Sequence, residues 1–261
     1  MDIERVAKQA HEHGIIVVVD NTFVSPFVQN PLDHGGWSEN PMLPNKSSTN
    51  KRLGADMVVH SGTKYINGHA DLMMGVIATS SESLRDQITF LQNAAGAIPS
   101  PFDCWLAHRG LKTLHLRAAA ASHNAMVIAT ALQESPYVIE VLYPGLESHP
   151  QRALVLKQHR DGLGGGVLSF RIRGGPEAAV EFCRALRLFT IAESFGGVQS
   201  LVEVPRAMTH SILPEEIQPI VYLPDDLVRV GCGIENALDL KADVLSALER
   251  VVGPLMEDDA S

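Results

Sequence analysis

Few cysteines, few basic residues and no long apolar runs characterise this sequence of 261 residues. Its three cysteines, Cys104, Cys183 and Cys232, are odd in number and widely spaced, which disfavours a disulfide framework or a zinc site and favours reduced thiols. Lysine and arginine total 21 against 30 acidic residues, a net charge of -9, so a basic surface for nucleic acid is not expected. The composition favours a small molecule or another subunit as the partner.

Segments that would direct the chain to a membrane are also missing from the sequence. No apolar run reaches the roughly 20 residues that a membrane helix needs, and the longest run near the start is Ile15–Val19. The opening residues, 1–5, are charged where a signal peptide has a basic segment followed by an apolar one. We therefore expect a cytoplasmic protein with neither membrane nor nucleic acid as a partner.

Alternating helical and strand patterns predict an α/β fold. Asp2–His13 has apolar residues at helical spacing, and Ile15–Val19 is a β-branched run typical of a parallel strand covered on both faces. Ala55–His60 and Gly75–Thr79 predict two further strands. Because a domain rarely begins within a strand–helix–strand unit, we expect that part of the domain precedes Met1.

The dipeptide Pro144-Gly145 marks a predicted domain boundary. Residues 1–144 predict a partial cofactor domain with a parallel or mixed sheet, interrupted at about 36–53 by a polar, proline-rich segment without periodicity. Residues 145–261 alternate helical and strand patterns and predict a smaller α+β domain. The sequence has no internal repeat that would suggest a different organisation.

Polar residues that suit one cofactor follow two of the predicted strands. Asp20 follows the first strand, and Ser61, Thr63 and Lys64 follow the second; ligands bind at this end of strands in α/β sheets, which predicts one shared site. Pyridoxal 5'-phosphate requires an amine for its aldehyde and a carboxylate for its pyridine nitrogen, and hydroxyl groups suit its phosphate. The same residue types have ordinary roles, because a strand-end Asp is commonly a cap and a lone Lys a surface charge.

Two other patterns point less well to a ligand. The glycine-rich segment Gly162–Gly166 is similar to a dinucleotide loop, but it precedes a predicted strand instead of opening a helix. His108, His115 and His123 have no carboxylate or cysteine at ligand spacing, so no metal site is predicted. The three cysteines lie among apolar residues and are expected to be packed thiols.

Longer strings of residues carry a family resemblance that extends from Asp2 to about Val252. They resemble, in family order, the Cys/Met-metabolism family of pyridoxal-phosphate enzymes. The strings are Val19–Phe23, Ser61–Tyr65 with Asn67–His69, Phe90–Asn93, Pro99–Cys104, Arg109–Leu114, Ala192–Gly197, Met208–His210 and Leu227–Val230. The resemblance implies the aminotransferase-type architecture known as fold type I, and a homotetramer built as a dimer of dimers.

The resemblance also implies roles for the residues of the cofactor site. Lys64 would bind the cofactor covalently and then move protons, for which its amine must be neutral part of the time. Asp20 would pair with the pyridinium nitrogen, and Ser61 and Thr63 would bind the phosphate. These roles are consistent with the residue types that the strand ends present.

Three further positions are implied to bind a sulfur amino acid. Arg229 would bind the α-carboxylate with its two-pronged guanidinium, assisted by Ser194. Glu193 would pair with the distal ammonium of cystathionine, where an apolar residue would suit methionine. The implied reaction is therefore α,γ-elimination of cystathionine to cysteine, 2-oxobutanoate and ammonia. Synthesis of cystathionine, its β-elimination and sulfhydrylation of homoserine esters are alternatives that use the same residues.

Two departures from the family pattern affect this expectation. The region that holds a cofactor-stacking tyrosine, a phosphate loop and an arm to the neighbouring subunit would precede Met1, and the family lacks the segment 36–53. Both departures would also arise from an incorrect gene model. A further alternative is therefore a catalytically impaired fragment that binds cofactor or subunits without turnover.

Overall fold

The computed structural model describes residues 1–33, 54–209 and 223–258. The predicted insertion at about 36–53 lies outside these residues. The described helices and strands are α1 (Ile3–Glu12), β1 (Val18–Asp20), α2 (Ser25–Val28), β2 (Met57–Ser61), β3 (Gly75–Thr79), α3 (Glu82–Ala95), α4 (Pro101–Leu111), α5 (Leu114–Gln133), β4 (Val138–Leu142), α6 (Arg152–Gln158), β5 (Val167–Ile172), α7 (Gly175–Ala185), β6 (Thr190–Ile191), β7 (Leu201–Glu203), β8 (Leu227–Gly231) and α8 (Ala237–Asp258). Two short 3-10 helices, at Pro31–Asp33 and Arg160–Gly162, and a π-helical turn at Gly62–Ile66 complete them.

The first sheet contains three strands in the order β1-β2-β3. β1 runs parallel to β2, with Val19 opposite Val58, and β3 is antiparallel to β2. α1 begins where the Asp2 side chain accepts a hydrogen bond from the Arg5 amide, and Ala7 of this helix is buried against Val58. The carboxyl ends of β1 and β2 therefore lie side by side, which positions the candidate site.

The prediction that the first strand is covered on both faces is wrong for the part of the chain that the structure describes. Ile15 and Ile16 precede the strand and are 57% and 51% exposed, and Val18 is 50% exposed. The helix α1 contributes Ala7 to the core beside this strand, together with Val17 and Val58. The continuous apolar run is thus only half buried.

The second sheet contains five strands in the order β4-β5-β8-β7-β6. β5 and β8 are antiparallel, and β7 pairs with β8 so that Glu203 lies opposite Arg229. The sheet packs against α5 and α7, and α8 packs against these two helices. This core includes the fully buried Phe170 and Phe182, whose rings meet edge to face with centroids 5.6 Å apart.

The long helix α5 contacts both parts of the molecule. Leu114 and Ala118 pack in one cluster with Tyr65, beside the first sheet, whereas Ile128 and Leu132 belong to the core of the second sheet. β4 precedes residue 145, yet it pairs with β5 of the second sheet. The division into residues 1–144 and 145–261 stays a prediction.

None of the helices within the described ranges has the length and apolar character that crossing a membrane requires.

Candidate active site

The π-helical turn that follows β2 carries Lys64 in an unusual backbone conformation. Lys64 has φ -86° and ψ -121°, whereas the turn around it is helical. The Asn67 amide donates to Gly62 O at 2.9 Å, and the Gly68 amide donates to Lys64 O at 2.6 Å. Hydrogen bonds therefore fix the main chain on both sides of the candidate lysine.

Asp20 lies at the same end of the first sheet as this turn. It is the last residue of β1, and its partner in the strand register is Val59 of β2. An Asp20 oxygen accepts from the Thr22 amide at 2.9 Å, and the Thr22 hydroxyl oxygen accepts from the Ser61 amide at 2.8 Å. The structure thus brings the acidic strand end beside the lysine turn, as the order of elements predicted. The Asp20 side chain is exposed.

The residues around the lysine amine provide further contacts for a ligand. Lys64 Nζ lies 5.4 Å from the centroid of the Phe23 ring, a cation–π contact. The Thr63 hydroxyl oxygen accepts from the Met74 amide at 3.1 Å, so its proton is still available to a ligand. Ser61 is the residue before the turn, and its hydroxyl caps none of the turn amides. Both hydroxyls can therefore donate to an anion.

These groups fit pyridoxal phosphate by the chemistry of the donor set. Lys64 supplies the amine, Asp20 a carboxylate, and Ser61 and Thr63 two hydroxyl donors, all at one end of two parallel strands. The buried Gly196 also lies beside the lysine, since a Cβ added to Gly196 would lie 3.0 Å from Lys64 Cβ. The main chain at Gly196 must therefore pack directly on the lysine.

The loop that contains Gly196 also carries two of the predicted substrate residues. Glu193 and Ser194 are exposed and follow β6. The next residue, Phe195, is fully buried, and a Cβ at Gly231 of β8 would lie 2.6 Å from its ring. The buried phenylalanine anchors the loop to the second sheet, and Gly196, two residues after Ser194, packs on the lysine turn.

The predicted carboxylate-binding residue, Arg229, already has an acidic partner. Its Nη1 lies 3.1 Å from Oε1 of Glu203, directly across the β7–β8 pair. The Glu203 side chain is 1% exposed and that of Arg229 is 25% exposed. Glu203 was not among the predicted site residues. The signal was an acidic residue within the otherwise apolar run 201–205, in a strand where a buried carboxylate needs a partner.

The other patterns in the sequence have structural explanations. Two glycines of the glycine-rich segment leave room for tyrosine side chains. A Cβ on Gly164 would lie 2.5 Å from Tyr143, and a Cβ on Gly166 would lie 2.4 Å from Tyr65. The glycine-rich segment precedes β5, as predicted. Within the described ranges, no three His, Cys, Asp or Glu residues are grouped to hold a metal ion. Cys183 and Cys232 are buried, as predicted, whereas Cys104 is exposed, so the prediction of a packed thiol is wrong there. Burial raises the pKa of the Cys183 thiol to about 12.

His60 adds a pH-sensitive group next to the site. Burial lowers the pKa of His60 below 6.5, and the nearby Asp20 charge opposes the shift. The unfolded chain therefore binds this proton at a higher pH than the folded chain, and stability rises with pH through this region. We expect the free energy of unfolding to fall as the pH drops below about 6.5, and to fall less in His60→Gln.

Denaturant unfolding at several pH values between about 5 and 8 measures this difference. His149 and His159, whose pKa values burial also lowers, contribute the same background to both proteins. An identical pH slope in the variant would show that His60 does not control stability.

A sequence profile of the Cys/Met metabolism PLP-dependent enzymes matches residues 1–36 and 44–249. The chain belongs to this family of pyridoxal-phosphate-dependent enzymes. The family and the cofactor that the motifs predicted are thereby confirmed. Residues 37–43 of the predicted insertion are not matched.

Two of the relatives that the chain resembles are named for cystathionine. Cystathionine gamma-lyase of Saccharomyces cerevisiae is 50% identical over 254 residues, which cover 95% of this chain and 60% of the relative. Cystathionine gamma-synthase of Mycobacterium bovis is 45% identical over 248 residues, which cover 95% of this chain and 58% of the relative.

A solved structure confirms the predicted fold. The crystal structure of cystathionine gamma-lyase from yeast superposes with a TM-score of 0.86 at 50% identity, covering 96% of this chain and 60% of that one. The chain thus spans about 60% of the length of these relatives.

Proposed function

We propose that the protein catalyses α,γ-elimination of cystathionine to cysteine, 2-oxobutanoate and ammonia. The observation that carries the proposal is the placement of Lys64 beside Asp20, at the carboxyl ends of two parallel strands. The similarity to cystathionine gamma-lyase supports the choice of reaction. The cofactor supplies an electron sink that stabilises negative charge at the substrate α-carbon.

In this proposal the residues of the first sheet hold the cofactor and move protons. Lys64 would hold the cofactor through its amine, which would then serve as the base for the substrate α-proton. Asp20 would pair with the ring nitrogen, and the Ser61 and Thr63 hydroxyls would donate hydrogen bonds to the phosphate.

Residues of the second sheet orient the amino-acid substrate. Arg229 binds the α-carboxylate through guanidinium hydrogens that do not face Glu203, and Ser194 adds a hydroxyl. Glu193 pairs with the ammonium at the far end of cystathionine. Because Glu193 is exposed, this pair acts in a partly aqueous environment and contributes to selectivity more than to overall affinity.

For substrate choice, we expect Glu193→Gln to lower kcat/KM for cystathionine by roughly two- to fivefold, the range for an exposed ion pair. The value for homocysteine should stay unchanged, because homocysteine has no distal ammonium. Steady-state kinetics with both substrates on one enzyme preparation make this comparison. Equal losses for the two substrates would contradict the selectivity role of Glu193.

Product analysis tests the proposed reaction against its alternatives. The purified protein, loaded with pyridoxal phosphate, is incubated with cystathionine, and the keto acids are separated. 2-Oxobutanoate with cysteine supports the proposal, whereas pyruvate with homocysteine identifies β-elimination. Cystathionine formed from cysteine and a homoserine ester identifies the synthase, and homocysteine formed from inorganic sulfide and a homoserine ester identifies a sulfhydrylase. Cofactor binding with none of these products identifies a fragment without turnover.

We also propose a homotetramer and a cytoplasmic location. The free thiols of Cys104, Cys183 and Cys232 support a reducing compartment. Apolar side chains on α3 and α4 support self-association, since α3 has no buried residue and borders a groove of about 880 Å³ against β3. The exposed apolar residues there are Phe90, Leu91, Ile98, Phe102 and Trp105.

A charge placed on this apolar surface should weaken subunit association. Phe102 and Trp105 stack with ring centroids 5.9 Å apart and are 66% and 57% exposed. We expect Trp105→Asp to raise the dissociation constant of the oligomer by roughly tenfold or more, the effect of losing a central aromatic contact. Sedimentation velocity over a concentration series measures it, with Leu238→Asp as a control at an exposed residue of α8. An unchanged oligomer in Trp105→Asp would place the interface elsewhere.

A further inference from the structure

A buried cation contacts the main chain immediately after Lys64. Arg117 of α5 is 6% exposed. Its Nη1 donates to Tyr65 O at 2.7 Å, and its Nη2 donates to Gly110 O at 2.7 Å and to Ile66 O at 3.3 Å. One guanidinium therefore holds two successive carbonyl groups of the lysine turn and the end of α4.

The charge of Arg117 is satisfied almost wholly by neutral oxygens. Its Nε donates to the Thr113 hydroxyl at 3.1 Å, and no carboxylate of the described residues lies within ion-pair distance of it. Burying a cation without an anion costs free energy. An apolar residue would fill this position between Leu114 and Ala118 on the buried face of α5 without that cost. The hydrogen bonds to the turn are what the arginine adds.

Two glycines allow the main chain to close around this side chain. Gly68 has φ +78°, and an added Cβ would lie 2.1 Å from Arg117 Nη1. A Cβ at Gly110 would lie 2.2 Å from Asn67 O. Larger residues at either position would separate the turn from α4 and α5. The local sequence is thus adapted to the arginine contact.

The same turn is connected to the loop of the predicted substrate residues. Gly68 O accepts a hydrogen bond from the Val198 amide at 2.9 Å. The main chain at Gly196 packs on Lys64 and Tyr65, as the close approach of an added Cβ shows. A displacement of the turn would therefore change the position of the lysine and of this loop together.

We propose that Arg117 is a positioning residue for Lys64, fixing the carbonyl groups that follow it so that the amine is held in place for the cofactor aldehyde. The inference rests on the proposed role of Lys64. Lysine at position 117 keeps the charge but cannot reproduce a planar fork that reaches several carbonyl oxygens. Arg117→Lys therefore separates positioning from charge.

Hydrogen exchange of the protein without cofactor reads the turn directly. The amides of Asn67 and Gly68 bond within the turn and report its opening. We expect Arg117→Lys and Arg117→Gln to speed exchange in peptides covering residues 62–68 by roughly tenfold or more, from lost charge-assisted hydrogen bonds. Peptides from β5 and β8 should exchange as in the wild type.

Arg152→Lys is the matched control for this measurement. Arg152 is also largely buried, and it donates to a carbonyl group, Gly162 O, at 2.6 Å, away from the turn. It should leave exchange at residues 62–68 unchanged. Gly68→Ala should reproduce the Arg117 signature, because its Cβ would meet the guanidinium.

Covalent trapping supplies the second readout. Each protein is incubated with pyridoxal phosphate and reduced with borohydride, and the fraction of modified Lys64 is measured by mass spectrometry. We expect the rate of modification to fall roughly tenfold or more in Arg117→Lys and to stay at the wild-type value in Arg152→Lys.

The outcomes distinguish this inference from the proposed function. If the wild-type protein is not modified at Lys64, the proposed function fails, while exchange at residues 62–68 still shows whether Arg117 holds the turn. Unchanged exchange and trapping in Arg117→Lys would overturn the inference. Faster exchange across the whole molecule in both Arg117 variants would also overturn it, since Arg117 would then serve general stability.

Discussion

We expect Lys64→Ala to abolish covalent attachment of pyridoxal phosphate after borohydride reduction. Alanine has no amine to bond with the aldehyde, and Lys64 is the lysine at the joint carboxyl end of β1 and β2. The loss should be complete, because no partial function of the amine is left. The measurement is the mass of the intact protein, followed by identification of the modified peptide.

The exposed Lys8 of α1 provides the control for this experiment. Lys8→Ala should be modified to the same extent as the wild type. The cofactor is kept near a stoichiometric amount so that surface amines such as Lys8 do not react nonspecifically. Attachment that persists in Lys64→Ala would assign the covalent bond to another lysine. A double variant would then identify which one.

Local patterns predicted much of the fold, and tertiary contacts explain where they failed. The run Leu227–Gly231 forms a strand that lies between two neighbours of the second sheet. Ile15 and Ile16 have the same residue types but precede β1, which pairs with β2 alone among the described strands. β4 was not predicted, since its pairing partner, β5, lies beyond the predicted boundary at residue 145.

The candidate site shows the same division between local and distant information. Lys64 and Asp20 were found because Asp20 ends a strand and Lys64 lies three residues after the next one, a pattern that a short window of sequence reveals. Glu203 lies 26 residues from Arg229, and Arg117 lies 52 residues from Tyr65, so their pairing depends on the completed fold. Arg117 did leave one signal, a single charge at helical spacing with Leu114 and Ala118.

Arg229, the partner of Glu203, is the second residue at which we expect a substitution to have a large effect. Lysine cannot reproduce the proposed bidentate contact of Arg229 with the substrate carboxylate. We therefore expect Arg229→Lys to lower kcat/KM by roughly 10- to 100-fold for every amino-acid substrate, the range for one lost charge-assisted hydrogen bond. Arg171→Lys is the matched control, because Arg171 forms a two-pronged pair with Asp226 in the same sheet, at 2.8 Å and 3.0 Å.

Glu203→Gln separates the holding of Arg229 from the binding of substrate. Glutamine keeps the shape of the buried side chain but removes the charge that fixes Arg229, so the arginine becomes more mobile while its own charge is retained. KM should therefore rise for cystathionine and homocysteine alike, but by less than in Arg229→Lys. Thermal stability should fall further than in Arg229→Lys, because Glu203 is the more deeply buried partner. Steady-state kinetics and thermal unfolding of the three variants give the comparison.

If Arg229→Lys lost no more activity than Arg171→Lys, Arg229 would be a structural partner of Glu203, and the substrate carboxylate would be bound elsewhere.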